Sequence, residues 1–335
     1  MKKKSKLTEL LQHELFSLSL TLIVLCVVMS LMSDKFFTSK NIINLLRQSA
    51  QYGICAIGMT MLILLGGIDL SVGSVQALAG VGAVVVLNLT KSIALAIIAG
   101  IAIGALVGLV NSLIITKMKI TPLICTLGTM SVISGIALVS TKAVSIQVTV
   151  KDYMNVGMGR FAEIPIPLLI LVVLVGVFYF VLNHTTFGRY IYAIGGNKAS
   201  AELAGIPVNK VIIASYIISG MLTGLSAVIL SSRLGSGQPS AGTGFEMTVI
   251  AAVIIGGVSL SGGKGSLIGA IIGTLTLYVL NNGLVLMDVS SFWQDILRGA
   301  LIILAVFVDQ RRQLKTSREL ICAKFADTVP SHEVV

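Results

Sequence analysis

Asp69 is the carboxylate that interrupts the longest apolar reach of this 335-residue chain. A carboxylate at the centre of a bilayer costs roughly 2.5–3.5 kcal/mol on insertion scales, so a chain retains one beside a water-filled path, a cation or an interface. Asp69 is equally suited to cap the helix starting near Ser71 by accepting from free backbone N–H groups. Both roles can hold together. Glu246, Asp295 and Arg298 are the other ionisable residues near membrane depth. Asp295 and Arg298 lie three apart on one helical face and neutralise each other; Glu246 falls at the outer mouth of its apolar segment. The histidines, His13, His184 and His332, flank or lie outside the apolar segments, so the chain lacks the buried acid–histidine series that a proton relay uses. A transported ion would need more buried counter-charge, and a neutral, hydroxyl-rich solute fits the sparse charge better.

Cys26, Cys55, Cys125 and Cys322 have neither metal-ligand nor disulfide spacing. Three of them sit in apolar runs, where cysteine behaves as a small hydrophobe. No catalytic residue, metal site or cofactor is expected.

These residues are carried by an unusual composition. Apolar types make up 55% of the chain and charged types only 11%, against about 25% charged in soluble domains. So few charges cannot cover a soluble protein of this length, and the chain reads as an all-α, polytopic transmembrane bundle. A helix needs about 20 apolar residues to cross the hydrocarbon core. Ten segments qualify: 15–33, 52–68, 70–89, 92–116, 122–141, 164–183, 210–232, 245–259, 265–287 and 291–310. The count falls to eight if the short or glycine-interrupted ones are re-entrant. Met1 to Lys6 followed by an apolar run resembles a secretory signal, but no small-residue cleavage site follows, so the segment is kept as the first span.

With the N-terminus inside, the cytoplasmic segments hold fifteen Lys and Arg and the outer segments eight, the bias of the positive-inside rule. The net charge of +10 therefore reports membrane orientation and not nucleic acid. Residues 142–163 form a charged outer loop and 184–209 the longest internal cytoplasmic segment. The division expected is a membrane domain over 1–310 and a polar cytoplasmic tail over 311–335.

Two glycine-rich strings echo each other at an offset of 190. Gly66-Gly67-Ile68-Asp69-Leu70-Ser71-Val72-Gly73-Ser74 and Gly256-Gly257-Val258-Ser259-Leu260-Ser261-Gly262-Gly263-Lys264 agree at five of nine positions. Paired glycine-interrupted apolar segments mark substrate pathways in transporters, although glycine-rich helix ends can also resemble one another by chance. The pathway residues expected are Gly66, Gly67, Asp69, Ser71, Gly73, Gly256, Gly257, Ser259 and Ser261. Six spans separate the copies, so both face the same side, and an inverted repeat does not follow. Leu260 to Lys264 differs by one residue from the signature of ABC-type ATPases. The chain has no phosphate-binding Gly-x-x-x-x-Gly-Lys-Ser/Thr loop, so the likeness is coincidental and this chain is not expected to hydrolyse ATP.

Within 184–209, Asn197 suits an N-cap, Ala199 to Ala204 are good helix formers, and Gly205 with Pro207 stops the helix. A short helix here can rest on lipid or insert its small residues into a partner's groove.

At these strings the chain resembles the permeases of bacterial ABC importers for monosaccharides of the ribose, galactose, arabinose and allose type. Further matching strings are Thr121-Pro122-Leu123-Ile124-Cys125-Thr126-Leu127-Gly128-Thr129-Met130, Thr186-Phe187-Gly188-Arg189 and Ile194-Gly195-Gly196-Asn197. The likeness runs from about residue 15 to 310. It implies a multi-pass protein of the cell inner membrane, paired with a second permease subunit as a homodimer or with a close paralogue. It also implies a cytoplasmic ABC ATPase subunit and an extracytoplasmic sugar-binding protein. The 184–209 loop would be the coupling element, through Asn197, Ala199, Ala201, Glu202 and Gly205. Ribose is the first expectation for the solute, followed by other pentoses or hexoses and the furanosyl signal autoinducer-2. The tail from Arg311 departs from the family in being longer and more polar. An ion-coupled secondary carrier, and a channel or structural membrane protein, are the alternatives of a different class.

Overall fold

The computed structural model describes residues 14–304, 306, 307, 310 and 311. The basic N-terminal residues and the 311–335 tail, Arg311 apart, lie outside the described residues. Arg311 sets its guanidinium 5.1 Å from the Phe307 ring centroid.

The chain is a helical bundle. Its first five helices are α1 (Glu14–Met32), α2 (Ser39–Leu64), α3 (Val72–Thr90), α4 (Ile93–Lys117) and α5 (Pro122–Thr141). An outer segment follows, with strand β1 (Ile146–Gln147), the short helix α6 (Met154–Met158), and strands β2 (Arg160–Phe161) and β3 (Ile164–Pro165). Then come α7 (Ile166–His184), α8 (Thr186–Gly196), α9 (Lys198–Leu203) and α10 (Val208–Leu234). Strand β4 (Ser236–Gly237), α11 (Phe245–Ile255) and α12 (Leu267–Leu286) complete the named elements, and residues 291–304 are helical. The strands form two small antiparallel pairs, β1 with β4 and β2 with β3.

Seven helices, α1, α3, α4, α5, α7, α10 and α12, are long and apolar enough to cross a membrane. Three of the ten expected spans differ from their sequence reading. Segment 52–68 is the inner part of α2, which begins at Ser39, well before the apolar run, and ends at Leu64. Its polar first half is tolerated because Arg47, only 7% exposed, donates to the Met158 carbonyl of the outer segment. Segment 245–259 holds an 11-residue helix, α11, about half the length a spanning helix needs. The last segment is helical over 291–304 and passes beyond the described residues.

Contacts between connecting segments join stretches that the basic residues placed on the same side. At the end of the bundle that carries residues 142–163, Asn88 donates to the Gln147 carbonyl, Lys91 bonds Thr149, and β1 pairs with β4. Asn41 and Asn282 exchange amide hydrogen bonds at 2.9 and 2.8 Å. Tyr153 is fully buried beneath the outer segment, with its hydroxyl 2.8 Å from Ser231 Oγ. Burial pushes that phenol up to about 12.

The helices α3 and α10 lie inside the bundle, while α1, α5 and α7 show apolar side chains such as Val24, Leu31, Ile124, Val139, Val173 and Phe180 to the surroundings. In lipid such a surface costs nothing, and packing between helices is driven by close van der Waals fit. A close fit joins α4 to α10. A Cβ on Gly104 would overlap the Gly220 carbonyl, and one on Gly220 would overlap the Gly104 carbonyl. One helical turn away on either side, a Cβ on Gly224 would overlap the Gly100 carbonyl and one on Gly108 the Tyr216 carbonyl, while the Val228 side chain packs on Gly100.

Candidate functional site

Both glycine-rich strings begin where a helix stops, and they stop it identically. At the end of α2, Gly66 N–H donates to Ile63 O (2.8 Å) and Gly67 N–H to Leu62 O (2.9 Å). At the end of α11, Gly257 N–H donates to Ile254 O (2.9 Å) and Val258 N–H to Val253 O (3.2 Å). These are Schellman turns, which require a left-handed residue just past the helix. Gly66 (φ 79°) and Gly257 (φ 85°) supply it. The structural equivalence therefore runs at an offset of 191, one residue from the sequence echo.

After the turn the strings diverge. Residues 67–71 run back into the bundle to start α3. Asp69 is 3% exposed, and its Oδ1 accepts from the Ser71 N–H (2.8 Å) and hydroxyl (2.6 Å). Ser71 Oγ in turn accepts from Asn111 Nδ2 of α4 at 2.9 Å. Leu70 N–H donates to Thr126 Oγ1 of α5 (3.1 Å), and Tyr216 Oη of α10 donates to the Ile68 carbonyl (3.4 Å). The non-helical backbone is thus held from three helices, the condition under which it is tolerated at membrane depth. Asp69 both bonds the helix-start N–H and anchors a buried polar chain. Residues 257–265 make a tight loop instead, with Ser259 N–H donating to Lys264 O (3.0 Å), before Ser266 caps α12 through Gly269 N–H (3.0 Å).

The strings meet at their inner ends. Gly263 N–H donates to the Leu64 carbonyl at 2.8 Å, and a Cβ on Gly195 would overlap both groups. Gly195 is the penultimate residue of α8, from which Tyr192 Oη also donates to Gly265 O (3.0 Å). Partial burial raises the Tyr192 phenol above its ordinary range. Immediately beyond, Asn197 caps α9 through Ser200 N–H (2.9 Å), and Gly205 follows at φ 77°. Asn197, Ala199, Glu202 and Gly205 are exposed, whereas Ala201 turns inward at 4% exposure. Leu203, which the sequence reading passed over, is 91% exposed.

A cavity of about 410 Å³ lies above the start of α3. Ser74, Ser131, Ser134, Ser240, Thr243 and Glu246 supply its polar lining, with Gly73, Gly242 and Met130 among the others. The 239–244 segment presses so closely on α3 that a Cβ on Gly242 would overlap the Gly73 carbonyl, and one on Gly73 would overlap the Glu246 carboxylate. Of the expected pathway residues only Gly73 reaches this cavity. Gly67, Asp69, Ser71, Gly256 and Ser259 are buried; Gly66 and Ser261 are exposed where the strings meet, and Gly257 is partly exposed. The cavity serines escaped the sequence reading because hydroxyls in apolar helices ordinarily bond their own preceding turn, as Ser140 does with Ala137 O.

Asp295 and Arg298 form the expected i,i+3 ion pair at 3.2 Å. Among the described residues, no three His, Cys, Asp or Glu gather as a metal site would require.

The structure is thus a bundle of membrane-length helices with two glycine-ended helices, a cavity whose polar lining is mostly hydroxyl and a short capped helix, α9. The chain belongs to the family described as branched-chain amino acid transport system / permease component, which matches residues 41–306. It is 41% identical to the ribose import permease protein of Escherichia coli strain K12 over 298 residues, 88% of this chain and 93% of the relative. The ribose import permease protein of Bacillus subtilis strain 168 is 43% identical over 297 residues, 88% and 92% of the two chains. The L-arabinose ABC transporter permease protein of Azospirillum brasilense is 36% identical over 291 residues, 87% and 86%. No solved structure matches the chain. It is accordingly a multi-pass transport permease of the cell membrane.

Proposed function

We propose that this chain is the permease subunit of an ABC importer that passes a ribose-type monosaccharide into the cell. The observation that carries the choice of solute is the cavity beside Gly73. Its polar lining is mostly neutral hydroxyl, with Glu246 the one carboxylate, suited to handing a polyol from one set of hydrogen bonds to the next. Ribose is favoured because ribose import permeases are among the relatives most similar along nearly the whole chain.

In this reading a separate ATPase subunit docks on α9, with exposed Leu203, Glu202 and Gly205 facing it. An extracytoplasmic binding protein delivers sugar, and a second permease subunit, identical or closely related, completes the pathway. Domain 1–310 is the permease body, with the tail from 311 cytoplasmic. The Gly66–Gly73 and Gly256–Ser261 strings border the path and hinge it, since α8 bears on both at their shared junction.

The test is uptake of labelled ribose into vesicles holding the permease with its ATPase and binding protein. Uptake that needs ATP and both partners is expected. Ribose uptake by the permease alone, driven by an ion gradient, would overturn the proposal.

A further inference from the structure

A second polar pocket, of about 270 Å³, lies on the other side of α11. Gln48 and Tyr52 of α2, Tyr278 and Asn281 of α12, and Gln294 and Arg298 of the last helix line it. These residues occupy the last turns of α12 and the first turns of the final helix, and Asn41 and Asn282 pair beside them near the outer end of the bundle. The pocket thus belongs to the outer half, the entry side of an importer. Thr248 of α11 faces this pocket and Glu246 the serine-lined cavity, so one helix start separates the two spaces.

The lining is strongly polar. Amides and a guanidinium are costly against lipid, and such groups in a spanning helix face water or a partner. The side chains of Gln48 and Asn281 make no hydrogen bond within the described chain, and Arg298 Nε is buried without a partner. Tyr52 and Tyr278 stand with ring centroids 4.7 Å apart, and Tyr52 leans on Phe245 at 4.4 Å. Aromatic faces receive the C–H faces of a sugar ring, while amides and a guanidinium bond neighbouring hydroxyls. Asp295 already pairs with Arg298 at 3.2 Å, so the pocket carries no free positive charge to select an anion.

We infer that this pocket is an outer sugar-binding site, distinct from the serine-lined cavity, in which an aldopentose rests against the packed Tyr52–Tyr278 pair while Gln48, Asn281 and Arg298 hydrogen-bond its hydroxyls. The inference rests on the importer reading above and specifies where the sugar is first held.

The experiment uses the permease–ATPase complex in vesicles, with Val285→Cys, a lining residue outside the hydrogen-bonding set, in a background lacking the native cysteines. A water-soluble thiol reagent is applied outside, with and without millimolar ribose and without binding protein. Modification of the cysteine, slowed by ribose but not by the anion ribonate, is expected. Arg298→Gln should raise the ribose concentration for half-protection about tenfold, the loss expected from one charge-assisted hydrogen bond. Tyr278→Phe, which keeps the ring, should raise it less. A cysteine that stays unmodified, that ribose does not protect, or that ribonate protects equally overturns the inference. Ribose uptake by the complete wild-type system, measured in parallel, keeps that result separate from failure of the importer reading.

Discussion

The Gly263 N–H donates to the Leu64 carbonyl across 2.8 Å, joining the end of α2 to the loop between α11 and α12, almost two hundred residues on, through main-chain atoms alone. Gly195 closes on the same bond from α8. A displacement of α8 therefore reaches both glycine strings without a flexible side chain between them. Gly195→Val should part this junction. Uptake is expected to fall at least tenfold while membrane insertion and ATPase binding persist, read by transport beside co-purification of the ATPase. Full uptake in a well-inserted variant would remove the junction from the coupling path.

Leu203 should anchor the ATPase. Burying a leucine contributes about 1.5–3 kcal/mol, so Leu203→Asp is expected to weaken co-purification of the ATPase tenfold or more. Ala201→Ser, whose side chain faces inward, should leave docking intact. Equal ATPase retention in Leu203→Asp and wild type would exclude α9 as the dock.

Asp69 acts as an acceptor. In Asp69→Asn the amide oxygen can still receive the Ser71 N–H and hydroxyl, so substantial uptake is expected. Asp69→Leu leaves both donors without a partner at about 1–3 kcal/mol each, and should impair assembly or transport severely. Loss of uptake in a normally assembled Asp69→Asn complex would require a role for the charge itself.

Thiol accessibility separates the two parts of the glycine-string path. In a cysteine-free background, Ser134→Cys in the cavity and Ser261→Cys at the junction should react with a water-soluble reagent, at rates that change with nucleotide and binding protein. Ser71→Cys should stay unreactive, because Ser71 is fully buried. Ser134→Cys unreactive in every nucleotide state would move the pathway elsewhere.

Much of the bundle was legible in the sequence, because an apolar run long enough to span has few other uses. The caps of α9 were equally legible: Asn197 and Gly205 act through local backbone chemistry that a short string specifies. Helix α2 was misread because Arg47 and Gln51 look like the end of a loop. Both are buried against segments over a hundred residues away: an Arg47 guanidinium nitrogen donates to Met158 O, and the Ser226 hydroxyl donates to the Gln51 main-chain carbonyl. The echo was displaced by one residue because identity of side chains and identity of turn geometry need not coincide. Ser71 looked pore-facing and is instead tied to Asn111, a partner that no spacing rule connects to it.

Where α4 meets α10, main chain lies against main chain at Gly104 and Gly220. A side-chain interface can slide by changing rotamers, as one set of knobs leaves its holes for the next. At these two glycines there are no rotamers to change, and an axial shift drives a carbonyl into the opposite ribbon, so main-chain contact holds α4 and α10 in register there.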